Sequence, residues 1–285
     1  MTDEVLALLA VTPGGRYIDG TLGGAGHAAA ILDRAGAGGA LLGIDRDREA
    51  LERATARLTG VAGRAVLRHG DHGEIARLAR EDGFEGVDGI LLDLGVSSDQ
   101  LDTPERGFSF QADGPLDMRM DRSRGESAAD LVARLDVAGL TGIFLRLGEE
   151  PQAARAARAV VRARAERAIA TTGRLAEVVS AALGGRRGGR HPATRVFQAL
   201  RMAVNRELEA LERALEEGIR LLAPDGRMVV ITFESLSDRL VKQRFAAHVG
   251  RSVSLQQGGA RWEGELPAVA PLTRRPLTAG EEEIA

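Results

Sequence analysis

The chain contains no cysteine, which excludes disulfide cross-links, thiolate zinc sites, iron–sulfur clusters and a cysteine nucleophile. Aromatic residues are scarce: seven phenylalanines, Trp262 and Tyr17. Lysine is scarcer still, since Lys242 is the single lysine and every other basic residue is arginine. No apolar run approaches the roughly 20 residues that cross a bilayer. Met1, Thr2, Asp3 and Glu4 lack the basic start and apolar stretch of a secretory leader. The five histidines form no H-x-x-H or carboxylate cluster at ligand spacing, so no metal is expected. What is present is a globular balance, 44% hydrophobic and 28% charged over 285 residues, enough for one large domain or two modest ones. A soluble, cytoplasmic protein is expected.

Arginine and alanine abundance fits a GC-rich genome, so the number of arginines does not by itself point to nucleic acid. Their placement is more informative. From Arg146 to Arg206 there are 13 arginines against Glu149, Glu150, Glu166 and Glu177, in a chain whose total charge is −3. A basic segment in an otherwise acidic protein is either the footprint of a polyanion or a solvated helical surface.

The first hundred residues alternate short apolar runs with helical stretches, the pattern of a parallel sheet with crossover helices. Strands are expected at Arg16–Asp19, Ala40–Asp45, Ala65–Arg68 and Gly89–Asp93, with helices at His27–Arg34, Arg48–Leu58 and Ile75–Arg80. Residues 102–127, rich in Gly, Pro, Asp, Arg and Ser, then read as a long irregular loop. Ala128 to about Leu222 reads as helix, interrupted by a flexible stretch at Gly184–Arg190. Its last helix, opened by Pro192, carries Val196, Leu200, Val204, Leu208, Leu211 and Leu215 at spacings of three and four. It would be about 40 Å long at 1.5 Å per residue. After the turn Pro224-Asp225-Gly226 the alternation resumes with a strand at Arg227–Phe233 and a helix at Asp238–His248. Weaker strands are expected at Arg251–Gln256 and Pro271–Leu277. The economical reading is one α/β sheet domain, residues 1–103 and 207–285, interrupted by an all-helical insertion, residues 104–206.

Asp19-Gly20-Thr21-Leu22-Gly23-Gly24-Ala25-Gly26-His27 places a glycine-rich turn between the first strand and the first helix, where the backbone must turn sharply and lie close to a ligand. Gly24-Ala25-Gly26-His27-Ala28-Ala29 also satisfies G-x-G-x-x-A, so a dinucleotide has to be considered. Asp45, ending the second strand, can accept hydrogen bonds from both hydroxyls of a ribose. Asp19 separates the options. It lies under the loop, where a pyrophosphate would bring negative charge and be repelled, whereas S-adenosylmethionine brings an ammonium and a sulfonium. A plainer role for Asp19 is to cap the turn. Asp93 ends the fourth strand at the same sheet edge. There it can accept a hydrogen bond from the exocyclic amine of a base such as cytosine, whose delocalised lone pair makes it a poor nucleophile without such help. It can equally cap the following helix.

These strings resemble one family. Asp19–His27, Gly43-Ile44-Asp45-Arg46-Asp47, Asp93–Ser98 with Gln100-Leu101-Asp102, Arg106–Phe110, Gly114–Asp121, Gly148-Glu149-Glu150 and His191–Arg195 with Phe197-Gln198-Ala199 are similar, in order and over nearly the whole chain, to the bacterial 16S rRNA cytosine-N4 methyltransferases, the RsmH or MraW family. The resemblance implies a Rossmann-like methyltransferase sheet, mostly parallel, with an inserted helical domain. It implies transfer of a methyl group from S-adenosylmethionine to a cytidine in the decoding region of small-subunit rRNA. Ala25, Gly26, His27, Asp45, Asp93 and Gln100 would contact the cofactor together with Asp19, Gly23 and Gly24 of the loop. His72, aligned where the family has phenylalanine, would pack against the adenine. Asp93 is the first candidate for the catalytic base and Asp117 the second. Phe108 and Phe110 either stack on a flipped base or pack their loop. Arg106, Arg119 and Arg195 either hold phosphates or form structural ion pairs. His191 either starts a helix or reaches RNA, and Met118 and Met120 read as core.

The chain departs from the family pattern in three places. Phe-His-Ser-Leu-Glu-Asp-Arg appears as Phe233-Glu234-Ser235-Leu236-Ser237-Asp238-Arg239. The His-x-Pro-Val-Leu opening is absent before Glu4, and the sequence stops at Glu281–Ala285 where the family continues with Asn-Pro-Arg. The implied partner is the small ribosomal subunit, with a homodimer compatible. Two alternatives stand beside this reading: an NAD-dependent oxidoreductase, and an RNA-binding assembly factor that keeps the fold but has lost turnover.

Overall fold

The computed structural model describes residues 1–184, 191–266, 268–273 and 275–278. They divide into two compact units, Met1–Gly95 with Leu208–Ala285, and Val96–Glu207.

In the first unit α1 (Thr2–Leu9) precedes β1 (Arg16–Asp19), α2 (Gly26–Ala35), β2 (Ala40–Asp45), α3 (Arg48–Leu58), β3 (Arg64–His69), α4 (Ile75–Glu81) and β4 (Val87–Asp93). The first expected strand–helix alternation is therefore present almost residue for residue. All four strands run parallel and are joined at the far edge by β5 (Leu222–Ile231), in the order β3-β2-β1-β4-β5. Strand periodicity decides which side chains go where. Tyr17, Leu41 and Leu91 pack toward α1 and α2 on one face, while Ile18, Leu42, Ile44 and Ile90 pack toward α4 on the other. Strands buried on both faces are continuously apolar, as parallel sheets require. The order reverses between β1 and β4, which leaves a crevice outside their carboxyl ends.

β5 keeps the expected turn as a bulge inside the strand. Pairing jumps from Val87 opposite Leu222 to Gly89 opposite Arg227, and Asp225 takes φ 63° in the loop between. α12 (Ser235–Val249) follows, and then an antiparallel pair, β6 (Arg251–Ser254) with β7 (Ala260–Glu263). The second of these was not legible as a strand. The described residues of 271–277 are irregular, against the expected strand there.

The second unit is helical: α5 (Ser98–Asp102), α6 (Ala128–Arg134), α7 (Val137–Arg146), α8 (Ala153–Glu166), α9 (Thr172–Leu183) and α10 (Thr194–Asn205). Residues 185–190, where flexibility was expected, lie outside the described residues. The loop before α6 contributes Phe108, Leu116, Met118 and Met120 to the unit's apolar core, so it is an ordered part of that core despite its polar composition. The expected 40 Å helix is two helices. Arg206 adopts a left-handed φ of 48° and separates α10 from α11 (Glu207–Leu221). Such a conformation costs a non-glycine residue roughly 1–2 kcal/mol. The neighbouring bonds oppose that cost: Asn205 Nδ2 donates to Met118 O at 2.8 Å, Asn205 Oδ1 accepts from Met120 N at 2.9 Å, and Arg201 binds both carboxylate oxygens of Glu207 at 2.8 Å. The apolar spacing runs through the break undisturbed and therefore conceals it.

Candidate active site

Four acidic and imidazole groups converge at the carboxyl ends of β1, β2 and β4 in the first unit. Asp19 is 1% exposed and its Oδ1 accepts a bond from Thr21 N at 3.1 Å. The turn-capping role is therefore real, yet it leaves the charge uncompensated. Burial, with Asp93 and Asp45 adding like charge, pushes the Asp19 carboxyl up to about 7, while the Thr21 bond and His27 pull the other way. Asp45 is raised as well, chiefly by burial. Its two oxygens each accept one backbone bond, from Gly23 N at 2.7 Å and Asp47 N at 2.8 Å, and each keeps a lone pair for a further donor. His27 Nε2 stands 3.4 Å from Asp93 Oδ2. Thr21, which the sequence did not single out, ties the two loops together by accepting Asp93 N on its hydroxyl at 2.5 Å.

The glycines of the loop fall into two classes. Gly23 has φ 50°, so its conformation alone favours glycine. Gly24 and Gly26 have no positive φ. A Cβ on Gly24 would meet nothing within 4 Å, and one on Gly26 only the Arg57 guanidinium at 4.0 Å. Nothing in the chain itself demands a missing side chain there, which is what a surface shaped for a ligand looks like. Ala25 between them sits at φ 58° and begins α2 without a side-chain cap, leaving first-turn N–H groups free of a capping oxygen. Three buried polar atoms of the neighbourhood also lack a protein partner: His27 Nδ1, Asp93 Oδ1 and His72 Nε2.

His72 begins the turn after β3, and its Cβ lies 3.4 Å from where a Gly20 Cβ would stand. Burial first, then the Arg46 charge, lowers its pKa to about 4, so the ring is neutral at physiological pH and can serve as a flat packing face. Arg46 is held in turn by Asp71, whose other oxygen accepts Gly73 N at 2.7 Å.

The second unit corrects several expectations. Asp117, the second candidate base, receives Arg119 Nε at 2.7 Å and Nη2 at 2.9 Å. Burial opposes ionisation, but these bonds with the Arg119 and Arg122 charges outweigh it and hold the carboxyl below its usual range. A carboxylate so stabilised is a weak base. Arg119 is likewise occupied by Asp117. Arg106 is 3% exposed and donates to Met120 O at 3.1 Å and Arg119 O at 3.3 Å, so it organises the loop and is not presented to phosphate. Phe108 is buried beneath that guanidinium, 5.8 Å from its ring centre. Phe110 lies 4.5 Å from the His191 ring and 4.7 Å from Phe197, so its stacking partners are internal. His191 Nδ1 accepts Ala193 N at 3.2 Å just before α10, a helix-start role. Gln100 forms a capping box with Ser97 at the head of α5. Arg195, half-buried on α10, makes no side-chain bond or ion pair with another described residue. Gly148 is required because a Cβ there would stand 2.4 Å from Arg195 O and 2.8 Å from Phe144 O, which brings the Gly148-Glu149-Glu150 and His191–Arg195 strings together in the second unit.

A model of the MraW methylase family matches residues 1–285. The chain belongs to that family. Among curated relatives, "Ribosomal RNA small subunit methyltransferase H" of Syntrophotalea carbinolica is 50% identical over 287 residues, covering 100% of this chain and 91% of the relative. The protein of the same name from Oleidesulfovibrio alaskensis is 50% identical over 288 residues, covering 100% and 89%. Among solved structures, the precorrin 8w decarboxylase of Methanobacterium thermoautotrophicum aligns with 92% of this chain and 82% of its own at 10% identity and a TM-score of 0.40, a remote likeness. Membership of a methylase family replaces the oxidoreductase alternative.

The pair Glu234 and Ser237, which motivated the inactive-factor alternative, forms a helix cap. Glu234 accepts from Leu236 N at 2.8 Å and from Ser237 N, and the Ser237 hydroxyl donates to it. No helix among the described residues is long and apolar enough to cross a membrane. The fold also brings Glu216, His248 and Glu265 together, a cluster invisible in the spacing. Arg220 and Arg244 flank Glu216 at 3.8 and 3.5 Å, so cationic partners already stand where a metal would be needed.

Proposed function

We propose that this chain methylates N4 of a cytidine in the decoding region of 16S rRNA, using S-adenosylmethionine bound by the first unit, and that the second unit, residues Val96–Glu207, recognises the RNA. The observation that carries the reading is the buried Asp19 carboxyl, raised to about 7 among Asp45 and Asp93, beneath a glycine loop with unfilled space. That arrangement favours a cation and penalises phosphate. The relatives named for small-subunit rRNA methylation supply the substrate class.

Gly23, Gly24, Ala25 and Gly26 would hold the cofactor by backbone, Asp45 its ribose hydroxyls, and the neutral His72 ring its adenine. When bound, S-adenosylmethionine supplies a methyl carbon whose bond to sulfur breaks with the pair staying on sulfur, while a bond to N4 forms and one N4 proton must leave. Asp93 is the acceptor for that proton. Its Oδ1 has no protein donor, and His27 Nε2 stands 3.4 Å from Oδ2. Arg195 and other solvent-facing arginines of the second unit, but not Arg106 or Arg119, would follow the RNA backbone, with an affinity that falls steeply as salt rises. Assembled small subunits, which exist in the cytoplasm, are the substrate because the decoding-site geometry belongs to folded RNA.

The test is methyl transfer from labelled S-adenosylmethionine to 30S particles lacking the mark. Incorporation at the cytidine N4 is expected, and Asp93→Ala should abolish it while RNA binding persists. No incorporation by the wild type, with salt-dependent RNA binding intact, would establish the assembly-factor alternative in its place.

A further inference from the structure

The first unit leaves an aromatic ring largely in solvent just beyond the ends of β4 and β5. Phe233 is 74% exposed, more than any other large hydrophobic side chain among the described residues. Its position follows from the sheet. Asp93 pairs with Ile231, and Leu94 N donates to Ile231 O at 3.0 Å, so β4 and β5 leave the sheet side by side. Two residues further along each strand lie Gly95 and Phe233. Gly95 has φ 120°, and a Cβ on it would stand 3.2 Å from Phe233 Cδ2. The glycine thus serves twice, turning the chain after Asp93 and letting the phenyl ring lie close to that turn. On its other side, Phe233 is followed at once by Glu234, whose carboxylate caps α12. The ring therefore lies close to the Gly95 turn, on a backbone that the α12 cap anchors at the next residue, while remaining uncovered.

We propose that Phe233 is the stacking platform for the target cytosine, presenting the base face while Asp93 meets its amine edge. The inference rests on the rRNA methyltransferase reading above. A base that reacts at an exocyclic amine must leave its stack, and an aromatic ring restores part of the lost stacking. Phe108 and Phe110 are committed to the interior of the second unit, and the exposed Trp262 lies on β7, so the role falls to the exposed ring that follows the end of β5, alongside the turn after Asp93. Stacking is tolerant of base identity, so Phe233 holds the base and Asp93 supplies the preference for an amine.

The experiment compares Phe233→Leu, Phe233→Tyr and Phe233→Trp in methyl transfer to unmarked 30S particles, with calorimetric binding of S-adenosylmethionine and melting measured alongside. Loss of a stacked base lowers kcat/KM for the particle by about 5- to 150-fold in the leucine variant. Cofactor affinity and melting stay at the wild-type level, and the tyrosine and tryptophan variants recover most of the transfer. A leucine variant as active as an active wild type overturns this inference and leaves the methyltransferase reading standing. So does a leucine variant whose transfer falls only in step with cofactor affinity, or one that dissociates a wild-type dimer and loses activity for that reason. An inactive wild type removes the parent reading and this one together.

Discussion

Replacing Asp19 by Asn leaves the shape of the site and the acceptor for Thr21 N in place while removing a buried charge. In the free protein that charge is a liability. Between the ordinary carboxyl value of 3.8 and the folded value of about 7, the folded protein holds a proton that the unfolded chain has released. Stability therefore falls as pH rises through this window and is fully diminished above it. Carrying one carboxyl from 3.8 to about 7 corresponds to about 4 kcal/mol at alkaline pH, as an upper figure. Asp19→Asn should recover part of that at pH 8 and almost none at pH 4. Half of the figure would move the melting midpoint of a unit this size by several degrees. The same substitution should weaken S-adenosylmethionine, because the carboxylate no longer faces its cationic groups. In the wild type, cofactor binding should release a proton and tighten as pH rises toward and past 7. Thermal melts of the free protein from pH 4 to 8, paired with calorimetry in two buffers of different ionisation enthalpy, read both effects. A variant no more stable than wild type at pH 8, or one that binds the cofactor equally well, would refute the picture of a buried acid waiting for a cation.

Two further outcomes separate ligand-shaped features from structural ones. Gly24→Leu should abolish cofactor binding in calorimetry yet shift stability by no more than about 0.5 kcal/mol, because the site is exposed and a Cβ there meets no chain atom; a stability loss with binding retained would contradict this. Arg106→Met removes two charged bonds to backbone carbonyls and should cost about 2–4 kcal/mol in urea unfolding, whereas an arginine that served only to hold RNA would leave the unfolding midpoint unchanged.

The sheet was legible because its signals are local. Alternating faces in Tyr17-Ile18 and Ile90-Leu91, the glycine turn after Asp19 and the acids ending β1, β2 and β4 all follow from short-range pattern. The acids' common edge follows from parallel topology. The second unit was legible only in outline. Arg106, Phe108, Phe110, Arg119 and Asp117 have the right chemistry for RNA or catalysis. Arg119 and Asp117 pair only two residues apart, but nothing local reveals that Arg106 bonds to Arg119 O and Met120 O or that Phe110 packs on His191 and Phe197. Phe233 shows the converse: placed at the end of an expected strand, it lies beyond the end of β5 at Ile231 and stands in solvent.

Residue order alone determined the first unit's fold, the family and the kinds of group available at the sheet edge, since backbone periodicity and glycine conformation are properties of neighbours along the chain. Which of those groups remain free was settled only by contacts between distant segments. Asn205 bonds to Met118 and Met120 where a helix of continuous apolar spacing breaks, His191 and Phe197 take up Phe110, and pairing between β4 and β5 brings Phe233 close to the turn after Asp93. A polar or aromatic side chain acts on a ligand only when no part of its own protein has claimed it, and that competition is resolved in three dimensions.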